Sequence, residues 1–254
     1  MSLFTQLYKS LYSPKDIARF RFQKIGKTIL YILLLSLFAI LPEGIQISNM
    51  LKTEIAFIQE VVDSQTPDFT IENGELKATA NEPIIKKEND FTYLFDPSAT
   101  VIPAKSLHED GIFFLKDRMM IIVTGKEKTY SYSAFREFPI KKQDVQDFLK
   151  FVQNIYPIAL LIIGVLLFLL DSFLSFLGIT ILAFLCVLIS KEMGRKLNYQ
   201  QAWTLTAYSF TLPTIFFMIM NYLNTVVPGS FFIFTMVAAI MLYATIKEIP
   251  APKK

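Results

Sequence analysis

Apolar side chains along this chain gather into blocks instead of spreading evenly. The longest block, Pro157 to Ser190, is thirty-four residues with a single charge, Asp171. Ile29–Ile47, Ala202–Leu223 and Phe231–Ile246 form three more. A helix needs about 20 apolar residues to cross a hydrocarbon core of about 30 Å, so the pattern predicts a multi-span membrane protein.

The period changes between the blocks. Leu3, Phe4, Leu7, Tyr8 and Leu11 recur at helical spacing beside Lys9, and Ser13-Pro14 reads as an N-cap followed by proline at the first helical position. The helix so begun should pass through Arg19, Arg21, Lys24 and Lys27 into the first apolar run. It is either a snorkelling cytoplasmic flank or an interfacial helix drawn to anionic lipid. The basic prelude is long for a cleaved signal, and no small-x-small site follows cleanly, so a retained anchor is expected, with Glu43 near its far interface. Leu51, Ile55, Ile58, Val61 and Val62 carry the helical period on to about Asp63.

A strand period follows. Phe69 and Ile71 should face Leu76 and Ala78 across Asn73-Gly74, a pair suited to a type I′ turn because both positions need φ > 0. Phe91–Phe95, Ile112–Leu115, Met119–Val123 and Thr129–Ser133 are further strand candidates, broken by Lys116-Asp117 and Gly125-Lys126. Val145, Phe148 and Leu149 restore helical spacing and lead into the long apolar block.

That block would be about 51 Å as one straight helix, long for one crossing and short for two. Charge arbitrates. One crossing, followed by a hairpin turning at Pro228-Gly229, keeps Lys191, Arg195, Lys196, Lys247, Lys253 and Lys254 on the side of the basic N-terminus. The fold class expected is therefore a membrane protein: an α-helical bundle of four spans, alternatively five, with an inserted α+β extracytoplasmic domain. The divisions are a cytoplasmic segment 1–28, a span 29–48, the α+β domain 49–154, a long or broken span 155–190, a basic loop 191–201, a hairpin 202–246 and a cytoplasmic tail 247–254.

Composition sharpens this. Hydrophobic residues make up 53% of 254 residues, above the soluble norm. The net charge of +3 is too small for a nucleic-acid binder. Lone Cys186 leaves no disulfide within the chain and no cysteine-based metal site, and lone His108 has no neighbouring ligand set. H-E-x-x-H, G-x-S-x-G and Gly-rich phosphate loops are all missing from the sequence, so no enzyme activity and no cofactor are expected.

Asp171 is the one intramembrane acid. It either contacts an ion, a proton or a partner helix, or marks a break at Asp171-Ser172 that leaves it at an interface. Trp203, Thr204, Thr206, Tyr208, Ser209, Thr211 and Pro213 suit a helix packed against other protein. Tyr199 and Trp203 would mark the cytoplasmic aromatic belt, and Asn221 and Asn224 the outer end. The candidate intramembrane polar and packing residues are thus Asp171, Tyr199, Trp203, Tyr208, Thr211 and Pro213.

The L-Y-S-P-K-D-I-A-R-F-R prelude and the G-R-K-L-N-Y-Q-Q-A-W-T-L-T-A-Y-S-F-T-L-P stretch at 194–213 resemble the DUF1189 family of bacterial membrane proteins. Leu197, Tyr199, Trp203, Tyr208, Thr211 and Pro213 carry the most specific part of the likeness, which extends distantly to Yip-type membrane domains. The family's I-I-D-T-T-G-like turn is replaced here by Leu94-Phe95-Asp96-Pro97-Ser98-Ala99. The resemblance implies a bacterial cytoplasmic-membrane protein with both termini inside. A maltodextrin-utilisation label on some members adds sugar uptake as a setting.

The function expected is non-enzymatic: the extracytoplasmic domain binds a membrane or envelope partner or senses an envelope signal. An accessory role in transport is the alternative, with Asp171, Tyr208 and Asn221 lining a polar path. A membrane enzyme is the third reading, and it would need a serine or acid pair in contact. The lipid bilayer is the one partner the composition itself demands.

Overall fold

A computed structural model describes residues 1–79, 82–102, 109–136 and 138–251. His108 lies outside these residues, as do Lys253 and Lys254. The chain forms two compact units, Met1–Ile47 with Leu160–Lys254, and Ser48–Ala159.

Seven α-helices are present among the described residues: α1 Leu3–Ser10, α2 Pro14–Phe20, α3 Ile25–Ser64, α4 Lys142–Glu192, α5 Tyr199–Ser209, α6 Thr211–Tyr222 and α7 Ser230–Lys247. Four stretches among the described residues are long and apolar enough to cross a membrane: α3, α4, the α5–α6 pair and α7. The whole Pro157–Ser190 run lies in α4, 51 residues without interruption, which removes the five-span alternative.

The break expected at Asp171-Ser172 does not occur. An aspartate inside a helix costs only about 0.7 kcal/mol in propensity, whereas a break would strand backbone groups among apolar side chains that cannot pair with them. Pro42 in α3 and Pro157 in α4 are likewise carried inside their helices.

Ser2 and Ser13 cap α1 and α2, each accepting a backbone N–H three residues on, and Pro14 takes the first helical position. The expected run from α2 straight into the first apolar block is wrong. The helix ends at Phe20, and α3 starts at Ile25. Arg21 donates to the Ala18 carbonyl and the Gln23 backbone N–H to the Phe20 carbonyl at 2.8 Å, so two of the last four carbonyls of α2 are satisfied without more helix. The turn lets Ile17, Ala18 and Phe20 bury against α5 and α7. Phe4, Tyr8, Tyr12 and Phe22 remain exposed.

The third apolar run begins earlier than expected, at Tyr199, where Asn198 and Gln201 form a reciprocal capping box. It divides at Phe210. Pro213 has no N–H to offer the Ser209 carbonyl, which accounts for the interruption.

The α+β unit holds two sheets. Strands β1 (Phe69–Glu72), β2 (Glu75–Ala78) and β8 (Ile140–Lys141) form one in the order β2-β1-β8. The other runs β3 (Ile84–Glu88), β4 (Phe91–Phe95), β5 (Asp110–Phe114), β6 (Arg118–Val123) and β7 (Lys126–Ser131). All pairs are antiparallel except β4 with β5. The hairpin expectation holds: Phe69 pairs with Ala78 and Ile71 with Leu76, with φ of 54° at Asn73 and 85° at Gly74.

The strand expected at Thr129–Ser133 starts earlier and stops at Ser131, because Tyr132–Phe135 turn into a 3₁₀ helix. Strands β3 and β8 were not foreseen. The first is an almost wholly exposed edge with little alternation, and the second is two residues long.

Alternation along β4 and β5 gives the five-stranded sheet two covered faces. Tyr93, Phe95 and Phe114 pack with Phe57, Val61, Val62 and Leu149 of the two long helices. Leu94, Phe113 and Leu115 face the other way, onto Ile102, Met120 and Ile122. Gly111 pairs with Thr92, and a Cβ at this position would overlap the Thr92 carbonyl, so only glycine allows β4 and β5 to close.

Candidate functional site

The N-terminal helices are held to the bundle by a buried polar cluster centred on Tyr208, which is 0% exposed. Its hydroxyl donates to Gln6 Oε1 at 3.1 Å and accepts from Gln23 Nε2 at 3.1 Å. Its ring packs on Tyr31 and Phe20, with centroids 4.2 and 4.8 Å away. The Tyr31 hydroxyl shares a 2.5 Å hydrogen bond with Thr211 Oγ1, which also donates to the Tyr208 carbonyl at 2.7 Å. Thr206 and Ser209 return their hydroxyls to carbonyls four residues back. The Tyr208 hydroxyl thus ties α1 and the α2–α3 turn to α5, the Tyr31 hydroxyl ties α3 to α6, and those of Thr206 and Ser209 are spent within their own helix.

Trp203 is buried against the bundle. It stacks on Phe176 with centroids 6.1 Å apart and donates from Nε1 to Thr180 Oγ1 at 3.3 Å. Tyr199 is half-exposed and reaches the Thr180 carbonyl at 3.3 Å. Cys186 is buried and free among the same core residues.

Asp171 stands apart from that cluster. It lines a partly open cavity of about 450 Å³ formed by α3, α4, α6 and α7. Ser36, Glu43, Ser175, Thr214 and Asn221 supply the remaining polar lining, and leucines with Phe217 and Phe234 supply most of the rest. Asp171 Oδ2 and Ser36 Oγ are both buried without a hydrogen-bond partner among the described residues. The two groups are close enough to influence one another but outside hydrogen-bonding geometry.

A buried acceptor left unpaired costs about 1–3 kcal/mol, and an acid at the centre of a spanning helix about 2.5–3.5 kcal/mol. Those magnitudes set the scale for leaving this pair unsatisfied. Of the polar path expected through Asp171, Tyr208 and Asn221, the structure brings Asp171 and Asn221 to one cavity. Tyr208 belongs to the other cluster.

The α+β unit has a cavity of its own, about 540 Å³ and almost wholly apolar. Ile58 and Val62 of α3, Val145 and Phe148 of α4, and Phe114 and Met119 of the sheet form its walls. Asp144 is its one charged lining residue, and that carboxylate already accepts the Lys141 N–H at 2.7 Å as a cap on α4. Tyr132 also lines it, and its hydroxyl has no partner among the described residues. Burial pushes that phenol well above its ordinary pKa, with Tyr93 and Asp117 adding to the shift, so it stays neutral. Tyr130, Phe135 and Phe148 are 44%, 41% and 62% exposed, leaving aromatic surface at the same place.

Asp96, in the turn that replaces the I-I-D-T-T-G-like motif, folds back on its own loop. It accepts the Ser98 N–H, the Ser98 hydroxyl and the Ala99 N–H at 3.0, 2.7 and 3.1 Å. No group of three or more His, Cys, Asp and Glu able to hold a metal occurs among the described residues.

A family model described as "Protein of unknown function (DUF1189)" matches residues 4–246. The chain belongs to the DUF1189 family. No curated protein and no solved structure matches it.

Two features of this DUF1189 chain were missed from sequence. Ser36 and Glu43 sit two helical turns apart on α3, on the face that carries Ala39 and Ile40 to the cavity. That seven-residue spacing was the available signal, and it was masked because Ser36 reads as an ordinary small residue in an apolar run. The apolar cavity of the α+β unit has no local signal, since its walls come from six separated segments.

Proposed function

We propose that this DUF1189 protein is a non-enzymatic component of the bacterial cytoplasmic membrane whose α+β domain lies on the extracytoplasmic face and binds an apolar partner or signal there. The observation that carries the reading is the apolar cavity whose walls include α3 and α4. Both helices continue without interruption into candidate spans, α3 from Ile25 to Ser64 and α4 from Lys142 to Glu192. An occupant that changes their packing at Val62 and Val145 would bias the same two helices further along. The basic N-terminal segment and the basic residues around Arg195 support cytoplasmic termini through the positive-inside rule.

A photoreactive amino acid at Phe148, which is 62% exposed, tests the reading in intact cells. Crosslinking to one membrane or envelope component, abolished when the cavity is filled by Ile121→Trp, is the expected result. Crosslinks that persist unchanged in the filled variant would refute it. Orientation is checked separately: an impermeant amine reagent should label Lys126 in intact protoplasts.

An accessory role in transport is the second reading, favoured by the shared cavity of Asp171 and Asn221. Recovery of permease subunits in the same crosslinking experiment would favour it over the first.

A further inference from the structure

We propose that the cavity around Asp171 is a binding site for an organic monocation, a protonated amine carried on a small apolar body. The proposal is independent of what the α+β domain binds. Asp171 Oδ2 and the Ser36 hydroxyl, with Ser36 only 2% exposed, are two buried polar atoms at the wall of one cavity that have no partner beyond one another among the described residues. No lysine, arginine or histidine lines that cavity. A carboxylate held among spanning helices takes a partner, and among the described residues the chain itself supplies no cation there.

The size and the walls decide which cation. A hard metal ion asks for six or more oxygens packed within about 2.6 Å. Here about 450 Å³ is lined by nine apolar and six polar residues, with Asp171 and Glu43 the two that carry charge. That volume falls in the range of small-molecule sites, where an apolar lining with a few polar groups fixes orientation. An ammonium group would sit between Asp171 and Ser36, donating to both. Its hydrocarbon body would lie along Leu170, Leu174, Phe217 and Phe234.

Glu43 supplies a second carboxylate on the same cavity and is itself exposed, which places negative charge where a cation approaches. A neighbouring cavity of about 440 Å³ shares Phe217 and Asn221 with it and extends to Thr225 and Ser230 between α6 and α7. Gln46, Asn224, Thr225 and Ser230 set polar groups in its wall.

The test is thermal unfolding of the full chain in nanodiscs, titrated with hexylammonium chloride, with hexanol and with sodium chloride. Hexylammonium should raise the unfolding midpoint saturably, and hexanol should not. Asp171→Asn should weaken the apparent affinity at least tenfold, and Ser36→Ala should weaken it severalfold. Equal shifts by hexanol and hexylammonium would overturn the proposal. So would a wild-type response in Asp171→Asn, and a shift reproduced by sodium chloride alone would assign the site to an inorganic ion instead. If Asp171→Asn fails to assemble, Ser36→Ala and Glu43→Gln carry the comparison, and undiminished binding in both would sink the idea.

Discussion

Tyr31 and Tyr208 lie ring against ring, centroids 4.2 Å apart and planes inclined by 37°, yet their hydroxyls serve different parts of the bundle. Tyr31 is tied to Thr211 on α6, whereas Tyr208 holds Gln6 and Gln23 from the N-terminal segment. One aromatic pair thus joins α3 to α5 and locks the first two dozen residues onto both.

Tyr208→Phe keeps the ring and removes the hydroxyl. Gln6, 2% exposed, would then be buried with its amide oxygen unpaired. A loss of about 1–3 kcal/mol is expected, read as a lower unfolding midpoint in detergent. Limited proteolysis around Gln23 should speed up in parallel, since the variant frees that segment.

Asn198→Ala tests the start of the third apolar run. The bond that Asn198 Oδ1 accepts from the Gln201 N–H would be lost, at about 1 kcal/mol, while the backbone N–H at 198 can still donate to Gln201. Asn198→Asp keeps an acceptor and should retain most of the stability, measured by the same unfolding assay.

Gly111→Ala should unfold the α+β unit. The new methyl meets Thr92 backbone, which cannot swing aside as a side chain would. A cost of about 2–4 kcal/mol follows from overpacking. Gly164→Ala is the control, because nothing lies within 4 Å of a Cβ there and the helix would gain. Circular dichroism melts of the two variants should move in opposite directions.

Acid sensitivity of the α+β unit should trace to two carboxyls. Arg118 donates to both Asp117 oxygens and holds that carboxyl below its ordinary pKa. Lys87, with help from Thr92, does the same for Glu109. A carboxyl depressed in the folded state contributes above its unfolded pKa and loses that contribution as pH falls through the folded value. Both pairs are exposed, so the effect is modest and screened by salt. Unfolding midpoints measured from pH 6 downward should fall less steeply in Asp117→Asn and Glu109→Gln than in the unaltered chain, and the difference should shrink in 1 M salt.

Local chemistry was legible in the sequence. Ser13-Pro14 starts a helix because cap and proline act within one turn. Asn73-Gly74 makes a hairpin because both residues tolerate positive φ. The apolar blocks become long helices because their length suits nothing else. What escaped notice depends on distant pairing. Ser36 and Asp171 come together from α3 and α4, and no periodicity in either run names the other. The interruption after Phe20 was missed because the Arg21 side chain and the Gln23 backbone N–H, rather than glycine or proline, end α2. Strand β3 carries Lys86, Lys87 and Glu88 in sequence, and only its register against β4 makes it a strand.

The Tyr208 hydroxyl also sets an order of events during biogenesis. Gln6 and Gln23 leave the ribosome first, but their partner lies 202 and 185 residues further along. At 5–20 residues per second that is a delay on the order of ten to forty seconds. Throughout it the nascent leading segment must wait with Ile17 and Phe20 uncovered, a window in which a chaperone or the insertion machinery has a hydrophobic surface to hold.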